Sequence, residues 1–210
     1  MYVQLRPQNL NQGLTLVECV VAIVITNILL AALAAPLVMV TATRSQNDRI
    51  NQASGLAISQ VDQMRALMEQ GVYQNADLPP ASSVSAELGQ PGGLSMQPPP
   101  SSVTTCTGVP ATAVTGCLRT FNNAEFVVQV YRGAGITAGG RIIAFPMQVR
   151  VYSLRTFDGG NTPSADVPIP QVPATFTASG DSSGLPLIVL TTDVVRGDNP
   201  ATLCNITDCQ

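Results

Sequence analysis

The sequence predicts an α+β protein. One long N-terminal helix, membrane-spanning in its first half, lays its second half on a small antiparallel β-sheet with long Pro/Gly/Ser-rich loops. Three observations predict this plan. Residues 14–40 are apolar and carry one charge, Glu18. The polar stretch that follows keeps a helical repeat. Strand-like runs come only after that, without the alternation of helix and strand that builds parallel sheets.

The first 13 residues, MYVQLRPQNLNQG, are polar, with Arg6 as the single charge. A helix over the apolar residues 14–40 would reach about 40 Å at ~1.5 Å per residue, which exceeds a ~30 Å hydrocarbon layer. A cleaved secretory signal would have a shorter apolar region behind a basic start. Arg44, Asp48 and Arg49 follow the span, so charge bias alone does not orient it. Pro36 lacks a backbone donor and predicts a kink near the exit.

Residues 41–70 read as an amphipathic helix continuing outside the membrane. Ile50, Ser54, Ala57, Val61, Met64 and Met68 recur at 4-3-4-3-4 spacing, which lines one helix face. Gly71 marks the stop. The repeat lasts only about three heptads, short for a coiled-coil stalk, so packing on the downstream sheet is expected.

Residues 71–123 are rich in Pro, Ser, Gly and Thr and predict a long loop with too little apolar surface to fold alone. The region 124–210 predicts the sheet. EFVVQVYR (125–132), FPMQVRVYSL (145–154) and LPLIVLTTDVV (185–195) are β-branched or aromatic and close to alternation. In the second run Met147, Val149 and Val151 point one way, and Gln148, Arg150 and Tyr152 the other. The glycine-rich residues between the first two runs read as a hairpin connection. Of the five cysteines, Cys19 lies in the apolar run. Cys106, Cys117, Cys204 and Cys209 form an even set that predicts two disulfides in an oxidising compartment. Three connectivities are possible; spacing favours Cys106–Cys117 and Cys204–Cys209, because short loops lose less entropy on closure.

Composition argues against most chemistry. Net charge is −3 with no histidine, and all ten basic residues are arginine. There is no basic footprint for nucleic acid, and the usual general base is missing. No GxSxG element occurs, and a Ser-x-x-Lys motif cannot exist without lysine. No CxxC pair or zinc spacing is present. The tract DGGNTPSAD, with Asp158 and Asp166 at its ends, offers oxygen ligands for Ca²⁺ but lacks the EF-hand order. A solvated loop is the default reading there. No cofactor, resident metal or catalytic residue is expected.

The residues around Gly13 resemble the prepilin N-terminus shared by type IV pilins and pseudopilins. The resemblance rests on a short polar leader ending in Gly13, then Leu14-Thr15-Leu16-Val17-Glu18, then an apolar helix with a proline near its exit. It implies that residues 1–13 are a leader peptide, cut by a prepilin peptidase between Gly13 and Leu14, and that Leu14 is N-methylated. It also implies that Glu18 meets the Leu14 amine of a neighbouring subunit during assembly. Leu stands where Phe or Met is usual at the first mature position, and the leader has Arg6 in place of several positive charges. The first 80 residues or so are similar to smaller pseudopilins of cyanobacterial hormogonium-polysaccharide secretion.

The resemblance implies a structural subunit of a type IV pilus-like or type II secretion-like filament. Its partners would be other pilins through the N-terminal helix, the peptidase, an inner-membrane assembly platform and the bilayer. It implies a single-pass inner-membrane protein with a cytoplasmic leader and a periplasmic domain. The competing reading is a bitopic anchored module whose outer domain recognises surface polysaccharide. A membrane-tethered enzyme would have only scattered aspartates to work with.

Overall fold

The computed structural model describes residues 15–87, 91–160, 163 and 184–197. The chain forms two compact units, Met1–Ser45 and Gln46–Gln210. One helix, α1 (Leu16–Gln70), supplies residues to both.

In the first unit, Leu16–Ala34 is apolar and long enough to cross a membrane, and none of it is buried. Its 19 residues rise about 28 Å. α1 continues through Pro36, although that residue has no N–H to donate to the preceding turn.

The second unit is α+β, as the sequence predicts. Its strands are β1 (Ser102–Thr105), β2 (Thr115–Phe121), β3 (Ala124–Arg132), β4 (Ile136–Ala138), β5 (Arg141–Ser153) and β6 (Ile188–Val195). They join in one sheet. All pairings between strands are antiparallel except β1 with β2, which is parallel. β3 and β6 both pair with Met147–Val151 of β5, and β4 and β6 both pair with Ala144. A strand has two edges, so β3 and β4 share one edge of β5 and β6 takes the other.

The outer part of α1 covers one face of the sheet. Ala53, Leu56, Ala57, Val61, Met64 and Met68 are buried with Phe126, Val128, Val130, Phe145, Met147, Val149 and Val151. The predicted stripe is therefore the packed one, with Ile50 and Ser54 half-buried at its lower end. Met68 is fully buried, and a methionine so placed contributes about 1.5–3 kcal/mol. Gly71 ends the helix with φ +66°, a left-handed conformation that suits glycine. Arg141 donates to its carbonyl at 3.1 Å, a cation at the negative helix end.

Residues 71–123 correct the expectation of a plain loop. Two 3-10 turns (Asn75–Asp77 and Pro91–Met96), β1 and β2 lie in that tract. β2 was hidden by its composition, TGCLRTF. It is held by pairing on both edges: β1 on one side, and on the other β3 across Asn122-Asn123. Both asparagines have positive φ (48° and 63°), as a two-residue hairpin requires. The presumed connection before β5 is also ordered. β4 folds back on β5 through Gly139-Gly140, both at positive φ. Consequently β5 starts at Arg141 and not at Phe145.

Pro146 sits inside β5. Gly133 donates to its carbonyl at 2.8 Å, but proline has no N–H to return the bond. The strand is interrupted between β3 and β4 beside that gap.

The second face of the central strands β3 and β5 is buried as well. Gln129, Tyr131, Gln148, Arg150 and Tyr152 are all covered, and Leu94, Ala86 and Ala113 cluster with Tyr131 there.

Candidate functional site

The strongest site in the sequence is the start of α1. Thr15 is the N-cap: its carbonyl accepts the Cys19 N–H at 3.2 Å. The Thr15 N–H donates to Glu18 Oε2 at 2.8 Å, and its hydroxyl donates to the same oxygen at 3.0 Å. In return the Glu18 N–H points to Thr15 Oγ1 at 3.3 Å. This is a reciprocal capping box of the form Thr-x-x-Glu, which satisfies two N–H groups that a helix start leaves unpaired. The reading of Glu18 from sequence overlooked it, though the four-residue signature was available.

Beyond the box the helix is apolar all round. Leu16, Ile23, Ile28 and Leu30 are each at least 60 % exposed. The Thr26 hydroxyl is satisfied within the helix, donating to the Ala22 carbonyl at 2.7 Å. Cys19 is an exposed free thiol. Gly13 and Leu14, the residues of the expected cleavage and methylation, lie outside the described residues.

The remaining expected residues are spread over the second unit. Cys106 and Cys117 form a disulfide, with Cα atoms 5.3 Å apart. It closes the β1–β2 connection, and Arg119 donates to the carbonyls of Cys106 (2.6 Å) and Gly108 (3.1 Å) in that loop. Cys204 and Cys209 lie outside the described residues. Asp158 is exposed in the 3-10 turn Leu154–Gly160 and lines a hollow of about 300 Å³ with Arg49, Glu125 and Arg155. Asp166 lies outside the described residues. Among those described, no three His, Cys, Asp or Glu residues gather to hold a metal.

An apolar helix opened by a glutamate-containing cap is therefore the feature to compare. Residues 8–34 match the family model described as the prokaryotic N-terminal methylation motif. The N-terminus is of prepilin type. No curated protein and no solved structure matches the chain. The prepilin-type motif supports the type IV pilin-like superfamily and a pilin- or pseudopilin-like structural subunit. It implies pilin-family interactions and peptidase processing. With the apolar helix, it points to a membrane-anchored single-pass protein.

Proposed function

We propose that the chain is a pseudopilin or minor pilin, a subunit of a type IV pilus-like or type II secretion-like filament serving polysaccharide secretion and associated motility. The observation that carries this reading is the prepilin-type motif over residues 8–34, with Glu18 in the first turn of an apolar helix. A prepilin peptidase cuts after Gly13, Leu14 becomes the N-methylated first residue, and its amine gains a positive charge. Glu18 lies four residues later. An ionised carboxylate in lipid is costly unless paired. Pairing with the Leu14 amine of the next subunit neutralises both charges and fixes the register between helices. The subunit waits in the inner membrane with its outer domain in the periplasm until the assembly platform inserts it. The link to polysaccharide rests on the resemblance of the first 80 residues or so.

The test is the mass of the mature protein from its native host. Loss of residues 1–13 together with gain of one methyl group is expected. An intact N-terminus would sink the proposal and leave the anchored binding module.

A further inference from the structure

Arg150 is fully buried, and no carboxylate pairs with it among the described residues. Its charge is met by neutral oxygens. Nε donates to Gln148 Oε1 at 3.0 Å, Nη1 to the Gln97 carbonyl at 2.7 Å, and Nη2 to the carbonyls of Leu94 (3.1 Å) and Ser95 (3.0 Å). The Tyr131 ring lies 5.3 Å from its Cζ, within cation–π reach. Two neighbours on the sheet reach the same segment: Tyr131 OH lies 3.0 Å from the Leu94 carbonyl, sharing its one proton between that oxygen and Gln148 Oε1, and Gln129 Nε2 donates to the Pro98 carbonyl at 2.8 Å. The sheet thus grips the backbone of residues 94–98 through side-chain donors, and Arg150 supplies more of them than any other residue.

Leu94 and Pro100 are the buried apolar side chains of this segment. No buried residue of the main core falls between Leu78 and Phe126. The satellite cluster takes only Leu94 from this segment. Gln97 is fully buried, and its Oε1 accepts from Ser82 Oγ (2.6 Å) and Ser83 N (3.0 Å), which ties the segment to residues 82–83, held in turn by the Ser82 N–H bond to the Arg132 carbonyl of β3. Its Nε2 has no partner. Opening would let water reach both that amide and the guanidinium, without uncovering the face packed on α1. Segments with few buried apolar contacts open below the global unfolding energy.

We propose that residues 94–101 open as a unit separate from the sheet and that Arg150 is the latch that holds them closed. The closed state covers Tyr131, Gln129 and Arg150; the open state bares them while the α1–sheet core stays intact.

Native-state hydrogen exchange on the full chain in detergent micelles, over a series of low urea concentrations, tests this. The reporters are the amides of Gln97 and Ser101, bonded to the Leu94 and Val114 carbonyls, against Val128 and Val149 in the sheet. In the wild type, the two segment amides should exchange at least ~10-fold faster than the sheet amides and depend little on urea. Arg150→Lys should speed them by a further ~10-fold or more, with the sheet amides changing by less than ~3-fold. Segment and sheet amides sharing one rate and one urea slope would overturn the proposal, as would equal acceleration of both in the variant. If Arg150→Lys fails to fold, the urea slopes of the wild type decide the matter alone.

Discussion

Glu18 has two candidate roles, and two substitutions separate them. Within its own chain it closes the capping box with Thr15, through three hydrogen bonds of 2.8, 3.0 and 3.3 Å. Between subunits, on the proposed function, it would meet the amine of the next Leu14. Thr15→Val removes the hydroxyl, and with it two of those three bonds, but leaves the charge. A lost cap costs about 1 kcal/mol, a factor of about 5 in fraying of the first turn. Glu18→Gln keeps an oxygen that can accept from Thr15, so the cap survives, but removes the charge. A neighbour's amine left unpaired in a low-dielectric interface costs about 3–5 kcal/mol, more than a hundredfold in association. Both variants should insert in the membrane. The assay is the amount of filament sheared from cells that carry each variant in place of the wild type, or cross-linking between neighbouring N-termini. Thr15→Val should assemble nearly as well as wild type, and Glu18→Gln should fall to background. The opposite order would show that Glu18 acts only as a cap and would remove the docking contact.

Two further outcomes follow from the second unit. Burial pushes the Tyr152 hydroxyl up to about 12 and raises Tyr131 as well. The unfolded chain releases these protons near pH 10, so the stability they confer is complete below that pH and is lost as pH rises toward 12. For Tyr152 alone the loss amounts to about 3 kcal/mol. Urea midpoints should drop from about pH 10 upward and less steeply in Tyr152→Phe, whereas a midpoint independent of alkali would contradict the burial. Gly133→Ala places a Cβ 2.5 Å from the Ala86 carbonyl and 2.8 Å from Pro146 Cγ. Overpacking of this kind costs about 1–3 kcal/mol; an unchanged thermal midpoint would mean that the backbone there yields freely.

The helix and the central strands were legible because each carries one dominant period. Val61, Met64 and Met68 repeat at helical spacing, and Phe145, Met147, Val149 and Val151 at the period of a strand. Spacing favoured the Cys106–Cys117 pairing among three possible connectivities, and that bond is present. β1 and β2 were not legible. SVTT and TGCLRTF have weak apolar signals, and their pairing is set by tertiary contact more than by local preference. The polar side of β5 was also opaque. A Gln-Arg-Tyr alternation is what a solvent-facing strand shows, and its burial is tolerable because Arg150 donates to the distant carbonyls of residues 94–97 while Gln148 bonds Thr191. At the N-terminus the Thr15-x-x-Glu18 signature of a capping box rests on two residues and merges into an apolar run whose length dominates the local signal.

The double covering of the sheet bears on how this protein can be engineered. A sheet with one wet face offers alternate positions for dyes, tags or cross-linkers, but the middle of β3 and β5 offers none, since Val127 to Tyr131 and Ile142 to Tyr152 are buried on both sides. Reporter groups belong at the turns instead. The Asn122-Asn123 hairpin is the best placed of these: both residues are exposed, and the two-residue loop is fixed by the strands on either side. An asparagine lost from it would take no core contact with it, although the replacement must adopt the positive φ that asparagine tolerates better than most residues. Cargo fused in the interior of β5, by contrast, would split the one strand to which β3, β4 and β6 all pair.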